Sequence, residues 1–100
     1  MRLVKLRYTA KAADDLEHII NYLLEQSPQG ARKVLARIHT LTNLLRQRPY
    51  IGRRIGVQEI RRLPIRPYPY LIFYEPKDDE IIIHRVRHGA RNPATMLSGE

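Results

Sequence analysis

One hundred residues allow one domain with a single modest core, and a composition 43% hydrophobic and 28% charged excludes a disordered chain. The lack of cysteine excludes disulfides and thiolate metal sites and makes the cytoplasm the expected setting. The net charge of +8 is concentrated in residues 32–66, where ten Lys and Arg face one acid, Glu59, so an anionic partner is expected.

The N-terminus, MRLVKLRYTAKAADD, is charged at alternate positions, so neither a signal peptide nor, further on, a membrane span is expected. Leu3 to Tyr8 reads as a short first strand, and Thr9 is a helix N-cap candidate. Leu16, Ile19, Ile20, Leu23 and Leu24 then recur at helical spacing, predicting a helix over about 10–26. Ser27-Pro28 closes that helix and opens a second, whose stripe is Ala31, Val34, Leu35, Ile38, Leu41 and Leu45. So short a connection demands an antiparallel hairpin, with Leu16, Ile20 and Leu23 expected to pack on Val34, Ile38 and Leu41. Pro49, Gly52 and Gly56 mark a loop.

From Glu59 the period changes from helical to alternating. Ile60–Ile65 is a strand in which Pro64 demands an edge or bulge position. Tyr70–Tyr74 is central, being apolar on both faces. Pro76-Lys77-Asp78-Asp79 is a turn, and Glu80–Val86 is the last strand. The fold class is therefore α+β, with a two-helix antiparallel hairpin packed on a twisted antiparallel sheet in the order β-α-α-β-β-β. One domain is expected over residues 1–100, with an ordered core of about 1–97.

The last strand runs into HRVRHGARNP, residues 84–93, three arginines and two histidines where a strand leaves a core. Alternation puts Ile81, Ile83, Arg85 and Arg87 on one face and Ile82, His84, Val86 and His88 on the other. Arginine's planar fork suits phosphate or carboxylate; the plainer reading is a solvated strand end with Arg85 and Arg87 paired to surface acids. His84 and His88 lie about 13 Å apart on a strand, so no metal site is expected. Metal-free RNA cleavage needs a base, an acid and cations on the phosphate. Glu59, His88, and Arg61, Arg62 or Arg91 supply those types, but no spacing binds them into one site.

"RRLPI" at 61–65, "YLIFYE" at 70–75 and "HRVRHGARNP" at 84–93, after two helices of these lengths, resemble the RelE/ParE superfamily of bacterial toxins. The resemblance covers about residues 1–97 and implies the same helical hairpin on a sheet. It implies a growth-inhibiting toxin of a type II toxin–antitoxin module, of the kind tied to plasmid stabilisation. A cognate antitoxin would neutralise it by direct contact, and no cofactor is implied. RelE-like members cleave mRNA on the ribosome, whereas ParE-like members inhibit DNA gyrase. RelE-like enzymes carry an arginine just after the first tyrosine of Tyr-x-x-x-Tyr, which here is Leu71. They carry a tyrosine six residues past the arginine of Gly-x-Arg, which here is Leu97. Only Arg91 matches, and "HGAR" looks ParE-like.

The ParE-like branch is therefore favoured, as a non-enzymatic gyrase inhibitor. Arg87, His88 and Arg91 are expected to meet the target, and Arg53, Arg54, Arg61, Arg62 and Arg66 form the basic patch. Tyr70, Ile72 and Phe73 are expected to meet the antitoxin. The alternative is a ribosome-dependent, metal-free endoribonuclease using Arg91, His88 and Glu59.

Overall fold

A computed structural model describes residues 4–89. Arg91, Leu97 and the expected core boundary at 97 lie outside the described residues. The elements are β1 (Lys5–Tyr8), α1 (Ala10–Gln26), α2 (Pro28–Gln47), β2 (Arg53–Arg54), β3 (Arg61–Pro64), β4 (Tyr70–Lys77) and β5 (Glu80–His88). They form one five-stranded sheet in the order β1-β5-β4-β3-β2, with the helical hairpin covering one face.

Both helix starts follow from their caps. Thr9 Oγ1 accepts from Ala12 N at 3.1 Å and donates to the His84 carbonyl at 3.1 Å, so one hydroxyl starts α1 and ties it to β5. Ser27 accepts from Gly30 N at 3.1 Å, and Pro28 follows at the helix's first turn. The core joins Val34, Ile38, Leu41 and Leu45 of α2 to Ile72, Tyr74, Ile81, Ile83 and Val86 of the sheet. From α1, Leu16, Ile19 and Leu23 pack against this core, and Ile19 takes the place expected of Ile20.

The sheet differs from expectation in three ways. First, it is mixed, because β1 lies parallel to β5, with Leu6 beside Ile81 and Tyr8 beside Ile83. Alternation reads the same for either strand direction. With two helices and three strands between them, no short turn forces β1 and β5 antiparallel. Second, β2 pairs Arg53 with Arg62 and Arg54 with Arg61, a ladder too short to carry a period. Third, β4 runs on to Lys77, leaving Asp78-Asp79 alone as the turn. Pro76 is tolerated because β4 has outrun β3 there, and Pro64 because β2 covers only Arg61 and Arg62.

A β-bulge corrects the predicted faces of β5. Phe73 lies opposite Arg85 and Tyr74 opposite Ile83, so His84 has no cross-strand partner. One extra residue inverts the alternation beyond it. Val86 therefore joins Ile81 and Ile83 in the core, and Arg85 and Arg87 share the opposite face with Ile82.

The loop after α2 is anchored by Tyr74, which has no exposed area. Its hydroxyl donates to the Pro49 carbonyl at 2.8 Å and accepts from Gly52 N at 2.8 Å. A side chain at Gly52 would stand 2.6 Å from the Tyr74 ring and hydroxyl, so glycine is required by close approach. Burial pushes the Tyr74 hydroxyl above its ordinary pKa, keeping it a donor. Tyr74→Phe should lower stability by about 1–3 kcal/mol, because the Gly52 amide loses its partner in a buried site. Urea unfolding checks this; an unchanged midpoint would show that water replaces the hydroxyl.

Candidate functional site

At the cationic end of β5, two residues are held by carboxylates and two line a groove. His84 Nε2 lies 2.9 Å from Glu75 Oε1. Arg85 forks onto Asp15 of α1, Nε to Oδ2 at 2.7 Å and Nη2 to Oδ1 at 3.1 Å. Hydrogen bonding to that carboxylate holds the Arg85 guanidinium above its ordinary pKa. Asp15 Oδ2 also accepts from Val86 N at 3.0 Å, occupying the strand edge beyond the end of β1. These two side chains therefore serve the fold. Arg87 and His88 instead line an open groove of about 290 Å³ between α1 and β5, with Asp15, His18 and Ile19. The His88 ring stands edge-on to Tyr70, centroids 5.5 Å apart at 83°.

The basic patch also divides. Arg54 pairs with Glu59 at 2.9 Å. Arg61 donates to the carbonyls of Tyr50 at 3.3 Å and Gly52 at 2.9 Å, and its guanidinium lies 5.1 Å from the centre of the Tyr50 ring. Arg62 and Arg66 line a second groove, of about 330 Å³, with Tyr68, Leu71 and Gly89. Arg53 is exposed beside Arg62.

The residues required for RNA cleavage are not gathered. Arg61 is opposite Tyr74 and His88 opposite Tyr70, a separation of four β4 residues, about 13 Å. Glu59 lies beyond Arg61, farther still from His88, and is engaged by Arg54.

The three residues expected to meet the antitoxin are buried in the free chain. Ile72 and Phe73 have no exposed area and Tyr70 is 8% exposed; the helices cover the face that carries Tyr70 and Ile72. Apolar surface is open elsewhere, in a groove of about 470 Å³ between the helices, lined by Tyr8, Leu16, Ile20 and Leu35. Leu35 is 46% exposed and Leu24, next to that stripe, 45%. The signal was in the sequence, since α1 carries both Ile19 and Ile20, and both Leu23 and Leu24. One row suffices for the core and the second is left over.

A helical hairpin on a mixed sheet, basic at one sheet edge and open and apolar between its helices, defines a small partner-binding protein. Residues 6–93 match the family described as the ParE toxin of the type II toxin-antitoxin system, parDE, and the chain belongs to that family. It is 33% identical over 89 residues to Toxin RelE2 of Caulobacter vibrioides, covering 89% of this chain and 99% of that one. Its fold matches a structure of the chromosomal ParDE TA system from P. aeruginosa with a TM-score of 0.73 and 29% identity, covering 86% of this chain and 96% of that one. YafQ from E. coli shares the fold alone, with a TM-score of 0.58, 14% identity, and coverage of 90% of this chain and 96% of that one. The protein is thus a toxin of a type II toxin–antitoxin system in the RelE/ParE superfamily, and a cognate antitoxin is its implied partner. Among the described residues no helix is long and apolar enough to cross a membrane.

Proposed function

We propose that this toxin acts in the ParE-like manner, inhibiting DNA gyrase by direct protein contact without cleaving RNA. The observation that carries the reading is Leu71. It lines the groove beside Arg62 and Arg66, at the position where RelE-like enzymes hold an arginine. A leucine neither neutralises a phosphate nor moves a proton. The separation of Glu59 from His88 supports the same reading, since an acid and a base must reach one substrate. The target-facing element is the end of β5, with Arg87 and His88 on their open groove and Arg91 following in sequence. The antitoxin docks an amphipathic segment in the groove between α1 and α2.

The RelE-like alternative draws support from one observation, that Arg62, Arg66 and Tyr68 share the groove at Leu71. Two guanidiniums and a phenol are suitable groups for binding RNA phosphate, even without the missing arginine.

Arg91→Ala tests the target surface. It should abolish growth inhibition while changing stability by no more than about 0.5 kcal/mol. Growth curves after induction, beside a thermal melt, read both quantities. A fully toxic Arg91→Ala would move the target contact away from the end of β5.

A further inference from the structure

The β2–β3 ladder has two residue pairs, and all four residues are arginines. Like charges placed directly opposite one another oppose strand pairing. Two of the four are answered within the fold, Arg54 by Glu59 and Arg61 by two carbonyls and the Tyr50 ring. Arg53 and Arg62, cross-strand neighbours about 5 Å apart at Cβ, have no side-chain partner among the described residues. They stand on the sheet face away from the helices, in line with Phe73, whose neighbours Ile72 and Tyr74 point into the core. Arg66 flanks the same groove as Arg62. No Asp or Glu occurs between Glu25 and Glu59 to supply a nearby counter-charge in sequence.

We propose that Arg53, Arg62 and Arg66 form a site for the phosphate backbone of duplex DNA. The guanidinium fork matches phosphate oxygens in pairs, and neighbouring phosphates repeat the charge that a row of arginines needs. Arg53 and Arg62 lie on the last two strands at one edge of the sheet, and Arg66 stands in the turn after β3. Single strands are held chiefly by stacking on open rings. In the groove of Arg62 and Arg66, Tyr70 is 8% exposed and edge-on to His88, and Tyr68 is half-buried in the wall. The proposal concerns the toxin's own contact with DNA and stands whether gyrase or the ribosome is the target.

The test is fluorescence anisotropy of the full chain with a labelled duplex of about 20 base pairs of arbitrary sequence, titrated at several salt concentrations. The wild type should bind, with affinity falling steeply as salt rises. Arg53→Gln/Arg62→Gln removes the like-charge opposition, so its fold should persist, as a thermal melt verifies. It should weaken binding by about tenfold or more and reduce the log–log salt slope by about 2, near 0.9 for each phosphate left without its arginine. Arg32→Gln/Lys33→Gln on α2 removes the same net charge and should leave the slope nearly unchanged. Equal losses in the two double variants would reduce the effect to net charge and overturn the site. Tighter binding to a single-stranded oligonucleotide, or binding to polyglutamate without binding to the duplex, would also overturn it.

Discussion

Asp15→Ala should lower the free energy of unfolding by about 3–5 kcal/mol, the usual cost of removing one partner of a buried ion pair. The Arg85 and Asp15 side chains are 14% and 15% exposed, so the pair is mostly withdrawn from water at the wall of the groove. The carboxylate accepts two hydrogen bonds from the guanidinium and a third from Val86 N. Without it, a charge and a strand-edge amide both lose their partner, and α1 loses its polar tie to β5. Asp15→Asn keeps an oxygen acceptor but no charge, and should fall between wild type and Asp15→Ala. Urea unfolding of the three proteins orders them. A loss below about 1 kcal/mol for Asp15→Ala would mean that Arg85 finds an equivalent partner and that the pair does not hold α1 to the sheet.

Leu35→Asp should weaken antitoxin binding by about 100-fold, near 2.7 kcal/mol, while leaving toxicity intact. Leu35 is 46% exposed on the wall of the interhelical groove, so a carboxylate there remains hydrated in the free toxin. Once an apolar helix face covers the groove, that carboxylate is buried without a partner. Cells carrying both genes should then stop growing, because the toxin escapes neutralisation. Titration of purified toxin with antitoxin measures the affinity directly. Unchanged affinity with full rescue of growth would place the antitoxin on another surface.

The helices were legible because amphipathic spacing and capping chemistry are local. Thr9, Ser27 and Pro28 act within one turn of where they stand, and α1 ends at Gln26 as its stripe requires. The parallel docking of β1 was not legible, since strand direction leaves no trace in alternation. The bulge at His84 was hidden for a related reason. Ile81-Ile82-Ile83 is apolar on both faces, so nothing marks where the pattern slips by one residue. That slip moved Val86 into the core and turned Arg85 off the core row, from which its guanidinium reaches Asp15 at the strand edge beyond β1.

The candidate site was legible by composition and obscure in its division of labour. HRVRHGARNP identified the cationic strand end. Only the fold shows that His84 and Arg85 are engaged by Glu75 and Asp15, residues distant in sequence. Likewise Arg54 and Arg61 look identical to Arg53 and Arg62 in composition. Their separate roles arise from Glu59 in the β2–β3 connection and from Tyr50 and Gly52 in the loop after α2. Tyr70, Ile72 and Phe73 read in the sequence as surface for the antitoxin, whereas the fold buries all three.

The most direct test of the central claim sets purified toxin against both targets in parallel. DNA gyrase with relaxed plasmid reports supercoiling, and programmed ribosomes with end-labelled mRNA report cleavage. The account predicts loss of supercoiling that added antitoxin restores, with the mRNA uncut. Codon-positioned cleavage of mRNA, with supercoiling unaffected, would contradict it and make Arg91 a phosphate-stabilising catalytic residue.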